Sequence, residues 1–160
     1  MLLTGKKISL RTVLPADADI LLKWENDETI WKMSGTKKTF TKKEIKEYIL
    51  NQKDIYLDRQ LRLIILLKEN PIGCVDFFDF DAGSLKTGIG ILIEKKYRKK
   101  GYAYDALSLL IKYGFEILNL NLISCSISED NKASLKLFRK HKFKFTDKKN
   151  GMYFLQLARK

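Results

Sequence analysis

The chain has 160 residues, of which 45% are hydrophobic, and a net charge of +12 at pH 7. A chain of this length buries about 70% of its unfolded surface, so we expect a single domain over residues 1–160. No apolar run reaches the ~20 residues that a transmembrane helix needs, and the start of the chain lacks the apolar region of a secretion signal. These features argue against a membrane protein and lead us to expect a cytoplasmic one.

The positive charge makes nucleic-acid binding an alternative function to consider. Lys and Arg number 31 against 19 Asp and Glu, but they are scattered over every predicted element. Nucleic-acid readers gather such residues on one face with aromatic side chains between them. The charge instead favours solubility and the attraction of anionic ligands. Nucleic-acid binding is therefore a less favoured function than binding of another anionic ligand or an acidic partner.

The two cysteines, Cys74 and Cys125, lie in separate apolar runs without the spacing of a metal site. We therefore expect two buried, reduced thiols and no metal.

The hydrophobic pattern predicts alternating strands and helices. Strands are predicted at 8–13, 61–67, 72–80, 85–93 and 122–126, with a closing hairpin about the turn Lys148-Lys149-Asn150-Gly151. Helices are predicted at 17–27, after the capping box Thr41-Lys42-Lys43-Glu44, at 102–118, and from an N-cap within 128–131 to about 141.

The connections between these elements predict the sheet. Short turns join the strands at 61–67, 72–80 and 85–93, so these should form an antiparallel meander. The strand–helix–strand unit over 85–126 should be a right-handed crossover with parallel strands. The prediction is a mixed α/β fold, with a central twisted sheet of about six to seven strands flanked by helices.

The segment Tyr97-Arg98-Lys99-Lys100-Gly101-Tyr102-Ala103 joins a predicted strand to the longest predicted helix. A strand that turns into a helix through a small residue leaves unpaired amides at the positive helix end, which suits a phosphate. Gly101 and Ala103 keep side-chain bulk away from that position, and three neighbouring cations add positive charge. The segment therefore predicts a bound phosphorylated ligand at residues 98–103, which we call the phosphate turn.

The phosphate turn reads Arg98-x-x-Gly101-x-Ala103, and Asn131-x-x-Ser134-x-x-x-Phe138 follows further along the chain. Together they resemble the acyl-CoA-binding signature of the GNAT N-acetyltransferases, especially the branch of ribosomal-protein N-terminal and spermidine acetyltransferases. The order of predicted elements matches over nearly the whole chain. The resemblance implies the acyl-CoA N-acyltransferase fold, acetyl-CoA as co-substrate, no metal, and a primary amine of a small molecule or peptide as acceptor.

The resemblance also implies roles for individual residues. It places the diphosphate of the coenzyme on the amides of the phosphate turn and the pantetheine arm between two splayed strands. The residues implied at the coenzyme are Ile91, Leu92, Ile93, Arg98, Lys99, Lys100, Gly101, Tyr102, Ala103, Asn131 and Phe138. In the alternative interpretation, Lys99 and Lys100 are solvated surface charges and Asn131 is a helix cap.

Acetyl transfer to an amine needs a neutral nucleophile, a stabilised oxyanion and a proton for the leaving thiolate. We expect an N–H near Leu92 at the oxyanion. The chain departs from the family at both proton-transfer positions: Gly88 stands where many relatives have a glutamate, and Phe138 where many have a tyrosine. Ser134 resembles the serine that some ribosomal-protein acetyltransferases use, and it is the candidate catalytic residue. Its alternative role is a small residue in a first helical turn.

The general base is left open. Asp76 and Asp79 should point to opposite faces of a strand, so at most one can face the site. Glu28 is a further candidate, and the reaction could also use a base that acts through water or no dedicated base. The lone His141 is expected at a helix end rather than in catalysis, beside Lys142, which stands where the family has glycine.

The acceptor side is predicted in the N-terminal helices and loops, where Trp24, Trp31, Tyr48 and Tyr56 either line the site or pack in the core. Because a basic protein repels a polyamine, we favour a protein N-terminus or a small single-amine metabolite. Two competing functions are a catalytically weak acyl-CoA-binding or regulatory relative and, behind it, a nucleic-acid-binding module. A homodimer is left open.

Overall fold

The computed structural model describes residues 1–27 and 39–160. These residues divide into two compact units, one formed by residues 1–12 and 54–160 and the other by residues 13–53. Each unit is described by itself below, and the single domain over 1–160 stays a prediction. Two sequence predictions, Glu28 and Trp31, lie outside the described residues.

The described part of the smaller unit contains two α-helices, α1 (Ala18–Glu25) and α2 (Lys42–Leu50). The predicted capping box starts α2: Glu44 N donates to Thr41 Oγ1 at 3.2 Å, and Thr41 N donates to Glu44 Oε1 at 3.1 Å. This exchange satisfies two of the free amides at the helix start. Trp24 is only 2% exposed, which supports core packing over a role in lining a site.

The larger unit is built on an eight-stranded sheet with the order β1-β2-β3-β4-β5-β6-β8-β7. The strands are β1 (Leu2–Thr4), β2 (Ser9–Thr12), β3 (Leu61–Leu67), β4 (Asn70–Asp81), β5 (Lys86–Ile93), β6 (Leu122–Ser128), β7 (Lys144–Lys149) and β8 (Met152–Ala158). The mixed α/β class is confirmed, but the sheet has one strand more than predicted. The additional strand is β1, which has 3 residues and is too short to show a periodic pattern.

The predicted connectivity of the sheet is confirmed. Strands β3, β4 and β5 form the antiparallel meander, and β5 pairs with β6 in parallel. The closing hairpin of β7 and β8 turns through Asn150 and Gly151, with φ values of 53° and 76°. Positive φ at both residues is what a two-residue hairpin turn requires.

Three helices belong to the larger unit: α3 (Ile55–Asp58), α4 (Tyr102–Glu116) and α5 (Lys132–Lys140). The one-turn α3 was not predicted, since a single turn has no periodic signal. Helix α4 buries Ala106, Leu107 and Leu110 completely in the hydrophobic core of this unit. Within residues 1–27 and 39–160, no helix has the length and apolar character that crossing a bilayer requires.

Both cysteines are free and buried, as predicted. Burial raises the pKa of the Cys125 thiol to about 12. Since the thiolate is the reactive form, this thiol is inert at neutral pH.

Candidate active site

The site begins where β5 and β6 separate. Their parallel pairing covers three residue pairs and ends at Gly88 with Ser124, although β5 continues to Ile93 and β6 to Ser128. The hydroxyl of Ser124 reaches the carbonyl of Thr87 at 3.5 Å, close to the last pair. Beyond it the two strand edges face a gap, which we call the strand gap.

The register with β4 shows which backbone groups of β5 face the strand gap. Glu94 N donates to Ile72 O at 2.9 Å, and the register from Gly73–Ile93 to Phe78–Gly88 continues that pair without a break. In an antiparallel ladder, alternate residues bond to the same neighbour. The backbone groups of Leu92 therefore point to β4, whereas those of Ile91 and Ile93 point into the gap.

The phosphate turn connects the end of β5 to α4. Lys99 has φ 62° and Gly101 has φ 84°, and Gly101 is the N-cap of α4 without any side-chain cap. The first amides of the helix are thus left for another partner. Arg98 braces the turn, since its Nε donates to the carbonyl of Ile93 at 2.9 Å. A left-handed Lys99 costs about 1 kcal/mol or more, and such strain is typical of functional turns.

A cation that the sequence analysis missed lies at this turn. Lys7, on the connection between β1 and β2, donates from Nζ to the carbonyl of Lys100 at 3.1 Å. A Cβ built on Gly101 would lie 2.7 Å from the same Nζ. Lys7 and Lys100 are 93 residues apart, and no motif connects them in the sequence.

The phosphate turn fits the diphosphate of coenzyme A. Its free helix amides, its cations and the absence of a side chain at Gly101 are the features that a bound phosphate needs. A side chain at Gly101 would fill this position and would also be strained at φ 84°. No cluster of metal-ligating side chains is present in the described part of the chain.

Helix α5 brings the second motif to the larger unit. Asn131 is its N-cap and accepts a hydrogen bond from Ser134 N at 3.2 Å, so Asn131 acts as a helix cap. No hydrogen bond of its Nδ2 is found among the described residues. Ser134 is half-buried, and no hydrogen bond of its hydroxyl is found among the described residues. Phe138 is 2% exposed and packs edge-on against Phe143 at 5.2 Å. It is a core residue with little surface for a coenzyme.

The ring of Phe78 lies over position 88, where many relatives have a glutamate. Gly88 pairs with Phe78 across β4 and β5, and a Cβ at Gly88 would lie 2.6 Å from Cζ of the Phe78 ring. The ring therefore occupies the space that a side chain at position 88 would enter.

The two aspartates of β4 have different surroundings. Asp76 is held by Arg62 through two bonds, at 2.8 and 2.9 Å, which keeps its carboxylate engaged. Asp79 is exposed, has φ 50° and lies where the register with β5 shifts between Phe78 and Asp81. This bulge interrupts the alternation on which the prediction of opposite faces was based.

A cavity of about 370 Å³ opens beside the end of the β5–β6 pairing, and we call it the acceptor cavity. It is lined by Phe78, Ser124, Cys125, Ser126, Thr146, Asp147, Phe154, Leu155 and Gln156. Ser124 and Phe78 border both this cavity and the pair at which the strands separate. A small group in the cavity can therefore reach the strand gap.

His141 lies at the C-cap of α5, as expected. Its ring stacks on Tyr104 of α4 with centroids 4.2 Å apart, and its buried Nε2 has no hydrogen-bond partner among the described residues. Burial lowers the pKa of His141, so the ring is neutral at pH 7. Lys142 follows with φ 71°, the left-handed conformation that suits the family's glycine.

Comparison with known proteins agrees with this geometry. Residues 7–144 match the acetyltransferase (GNAT) domain family. The chain is 29% identical over 141 residues to the uncharacterised N-acetyltransferase p20 of Bacillus licheniformis, covering 86% of this chain and 79% of that protein.

Solved structures show the same fold. The spermidine N-acetyltransferase of Vibrio cholerae, in complex with CoA and spermine, superposes with a TM-score of 0.85 at 20% identity over 95% of both chains. RimL, a ribosomal L7/L12 α-N-protein acetyltransferase in complex with CoA, gives 0.82 at 13% identity over 99% of this chain and 98% of that one. Spermidine and ribosomal-protein acetyltransferases are the two kinds of enzyme in the branch predicted from the motifs.

The superpositions show the fold of the acetyltransferases. The match over residues 7–144 shows that the chain belongs to the GNAT acetyltransferase family.

Proposed function

We propose that this enzyme transfers the acetyl group of acetyl-CoA to a primary amine by direct attack of the amine on the thioester. The observation that carries the proposal is the separation of β5 from β6 after Gly88 and Ser124. The phosphate turn lies past the far end of β5, and the acceptor cavity opens beside the separation point. The coenzyme can therefore bind along the strand gap from the phosphate turn, and the amine can approach from the acceptor cavity.

Two parts of the chain hold the coenzyme: the start of α4 binds its diphosphate, and the backbone of β5 binds its pantetheine arm. The amides at the start of α4, with Lys99 and Lys100 beside them, bind the diphosphate. The C=O of Ile91 and the N–H of Ile93 pair with the amides of the pantetheine arm, as an added strand would. When bound, acetyl-CoA supplies the reactive thioester.

The oxyanion is stabilised by an N–H of β5 that faces the strand gap. Because Leu92 directs its N–H to β4, this role passes to the N–H of Ile91. Such a donor is fixed before the reaction and needs no reorganisation, which is worth about 10²- to 10³-fold in rate for one hydrogen bond. Ser134, with its hydroxyl on α5, gives its proton to the leaving thiolate and is reprotonated, through water, by the proton that the attacking nitrogen releases.

Because Gly88 stands where many relatives have a glutamate, the cost of deprotonating the amine depends on the pKa of the amine itself. Asp76 is engaged by Arg62, and the ring of Phe78 lies where a side chain at Gly88 would enter. Glu28 lies outside the described residues, and neither Asp79 nor Asp147 of the cavity lining is assigned a role. We propose that the amine loses its proton to water. An alkylamine with pKa near 10.4 costs roughly 4–5 kcal/mol at pH 7, whereas an α-amino group with pKa near 7.8 costs only about 1 kcal/mol.

The acceptor we favour is therefore an α-amino group, at a protein N-terminus or in a small single-amine metabolite. The net charge of +12 also disfavours a polyamine. A homodimer stays a prediction.

The proposal is tested by incubating the protein with acetyl-CoA and a panel of amines while free thiol is measured. Thiol release that depends on a particular α-amine supports the proposal. Coenzyme binding without release for any amine would favour the acyl-CoA-binding relative, and salt-sensitive binding of DNA or RNA without coenzyme affinity would favour the nucleic-acid module.

A further inference from the structure

We propose that Lys7 is an additional phosphate ligand of the coenzyme, and that Asp105 is the positioning residue that holds Lys7 at the phosphate turn. The inference rests on the proposed function, because it requires the coenzyme to bind at residues 98–103. Neither residue belongs to the two motifs that carry the family resemblance.

Asp105, in the first turn of α4, binds the backbone of the β1–β2 connection. Its carboxylate accepts from three consecutive amides, Lys6 N at 3.4 Å, Lys7 N at 2.9 Å and Ile8 N at 3.1 Å. Gly5 allows this approach, since a Cβ there would lie 2.7 Å from Asp105 Oδ2. Charge-assisted bonds to backbone amides are among the stronger hydrogen bonds of a protein. They fix the backbone of Lys7 relative to the start of α4.

From this fixed backbone, the side chain of Lys7 reaches the phosphate turn. Its Nζ donates to Lys100 O at 3.1 Å and occupies the space next to Gly101. An ammonium group has three donors, and Lys100 O is the acceptor found for it among the described residues. The remaining donors are available to an anion.

Lys7 Nζ lies at the turn and, with the neighbouring Lys99 and Lys100, adds positive charge near the positive end of the α4 dipole, where a cation is unfavourable. Asp105 is the acidic residue of that first turn, and its oxygens accept from three amides. A bound diphosphate or phosphate would offset the positive charge at the turn.

The test measures the dissociation constants of CoA and of pantetheine, which has no phosphate, by calorimetry. We expect Lys7→Met to weaken CoA binding about tenfold and to leave pantetheine binding unchanged. Lys6→Met is the matched control: it removes the same charge from the neighbouring exposed residue, and we expect less than about a twofold change. Equal effects of Lys7→Met and Lys6→Met on CoA would overturn the inference.

A second test replaces Asp105, and its outcome depends on whether CoA binding becomes tighter or weaker. If Asp105 acted only through its negative charge, Asp105→Asn would tighten CoA binding. As the holder of Lys7, its replacement should weaken CoA binding severalfold, and this loss should vanish in a Lys7→Met background. Tighter binding in the Asp105→Asn single variant would contradict the positioning role. Thermal unfolding of each variant confirms that the protein is folded at the temperature of the measurement.

Gly101→Glu separates this inference from the proposed function, because it fills the phosphate turn itself. Loss of CoA binding in Gly101→Glu, together with unaltered binding in Lys7→Met, would overturn only the role of Lys7. Absence of CoA binding by the unmodified protein would overturn both.

Discussion

The ring of Phe78 lies against the backbone of Gly88, its cross-strand partner, at the point where β5 and β6 separate. A Cβ on Gly88 would be 2.6 Å from Cζ of the ring, whereas a Cβ on Gly90 would be 3.6 Å away from the ring, at ordinary contact distance. The two glycines are neighbours on one face of the same strand, and they differ in the space that Phe78 leaves them.

This difference predicts opposite tolerance to alanine. Gly88→Ala should reduce the free energy of unfolding by about 1–3 kcal/mol, because the added methyl overlaps the ring. Gly90→Ala should change it by less than about 1 kcal/mol. Urea denaturation of both variants measures the two values, and equal values would contradict the placement of the Phe78 ring. Adding Phe78→Ala should remove most of the cost of Gly88→Ala.

If the amine loses its proton to water, as proposed, the choice of acceptor should depend on pH. At pH 7 an α-amine peptide should have a much higher kcat/KM than an alkylamine of similar size, since a larger fraction of it is neutral. The ratio of kcat/KM for the α-amine to kcat/KM for the alkylamine should fall by up to about tenfold per pH unit above about pH 8. In that range the α-amine is already neutral, whereas the neutral fraction of the alkylamine still rises with pH. Rates measured from about pH 6.5 to 9.5 with both acceptors provide the comparison. A ratio that does not change with pH would indicate a dedicated base.

The buried ring of His141 predicts a loss of stability in acid. Burial lowers its pKa in the folded protein below the ordinary value of 6.5, so the unfolded chain binds the proton more readily. The free energy of unfolding should therefore fall as the pH drops below about 6.5, and this contribution should be complete once the pH is below the folded pKa. His141→Phe keeps a ring to stack on Tyr104 but cannot titrate. The variant should show a shallower decline between about pH 7 and 5, and parallel declines would exclude His141 as the cause.

The left-handed conformation of Lys142 predicts a stabilising substitution. A non-glycine residue at φ 71° costs roughly 1–2 kcal/mol, and glycine loses part of that gain through its flexibility in the unfolded chain. Lys142→Gly should therefore stabilise the protein by about 0.5–1 kcal/mol. Lys140→Gly, inside α5, removes the same side chain from a helical position and should destabilise by about 1 kcal/mol. Thermal or urea unfolding distinguishes the two signs.

Local signals in the sequence were sufficient for much of the fold. The capping box at Thr41 and Glu44, the buried run of β3 and the Asn150-Gly151 hairpin each depend on neighbouring residues. The parallel pairing of β5 and β6 followed from the helix that connects them, since a strand–helix–strand unit places its two strands in parallel. The phosphate turn was predictable for the same reason, because its glycine and its helix start are adjacent in the chain.

The features that escaped the sequence depend on residues far apart in it. Lys7 and Asp105 meet although they are 98 residues apart, and nothing in their local sequence indicates the contact. The contact of Phe78 with Gly88 depends on strand register and on the bulge at Asp79, which strict alternation does not foresee. The same register is needed to tell which backbone groups of β5 point to β4 and which point into the strand gap.

A structure of the protein determined with bound CoA tests the central claim most directly. We expect the diphosphate on the amides between Lys99 and Ala103 and the pantetheine arm between β5 and β6, beside Ile91. Coenzyme bound at any other surface, or no coenzyme bound at saturating concentration, would contradict it.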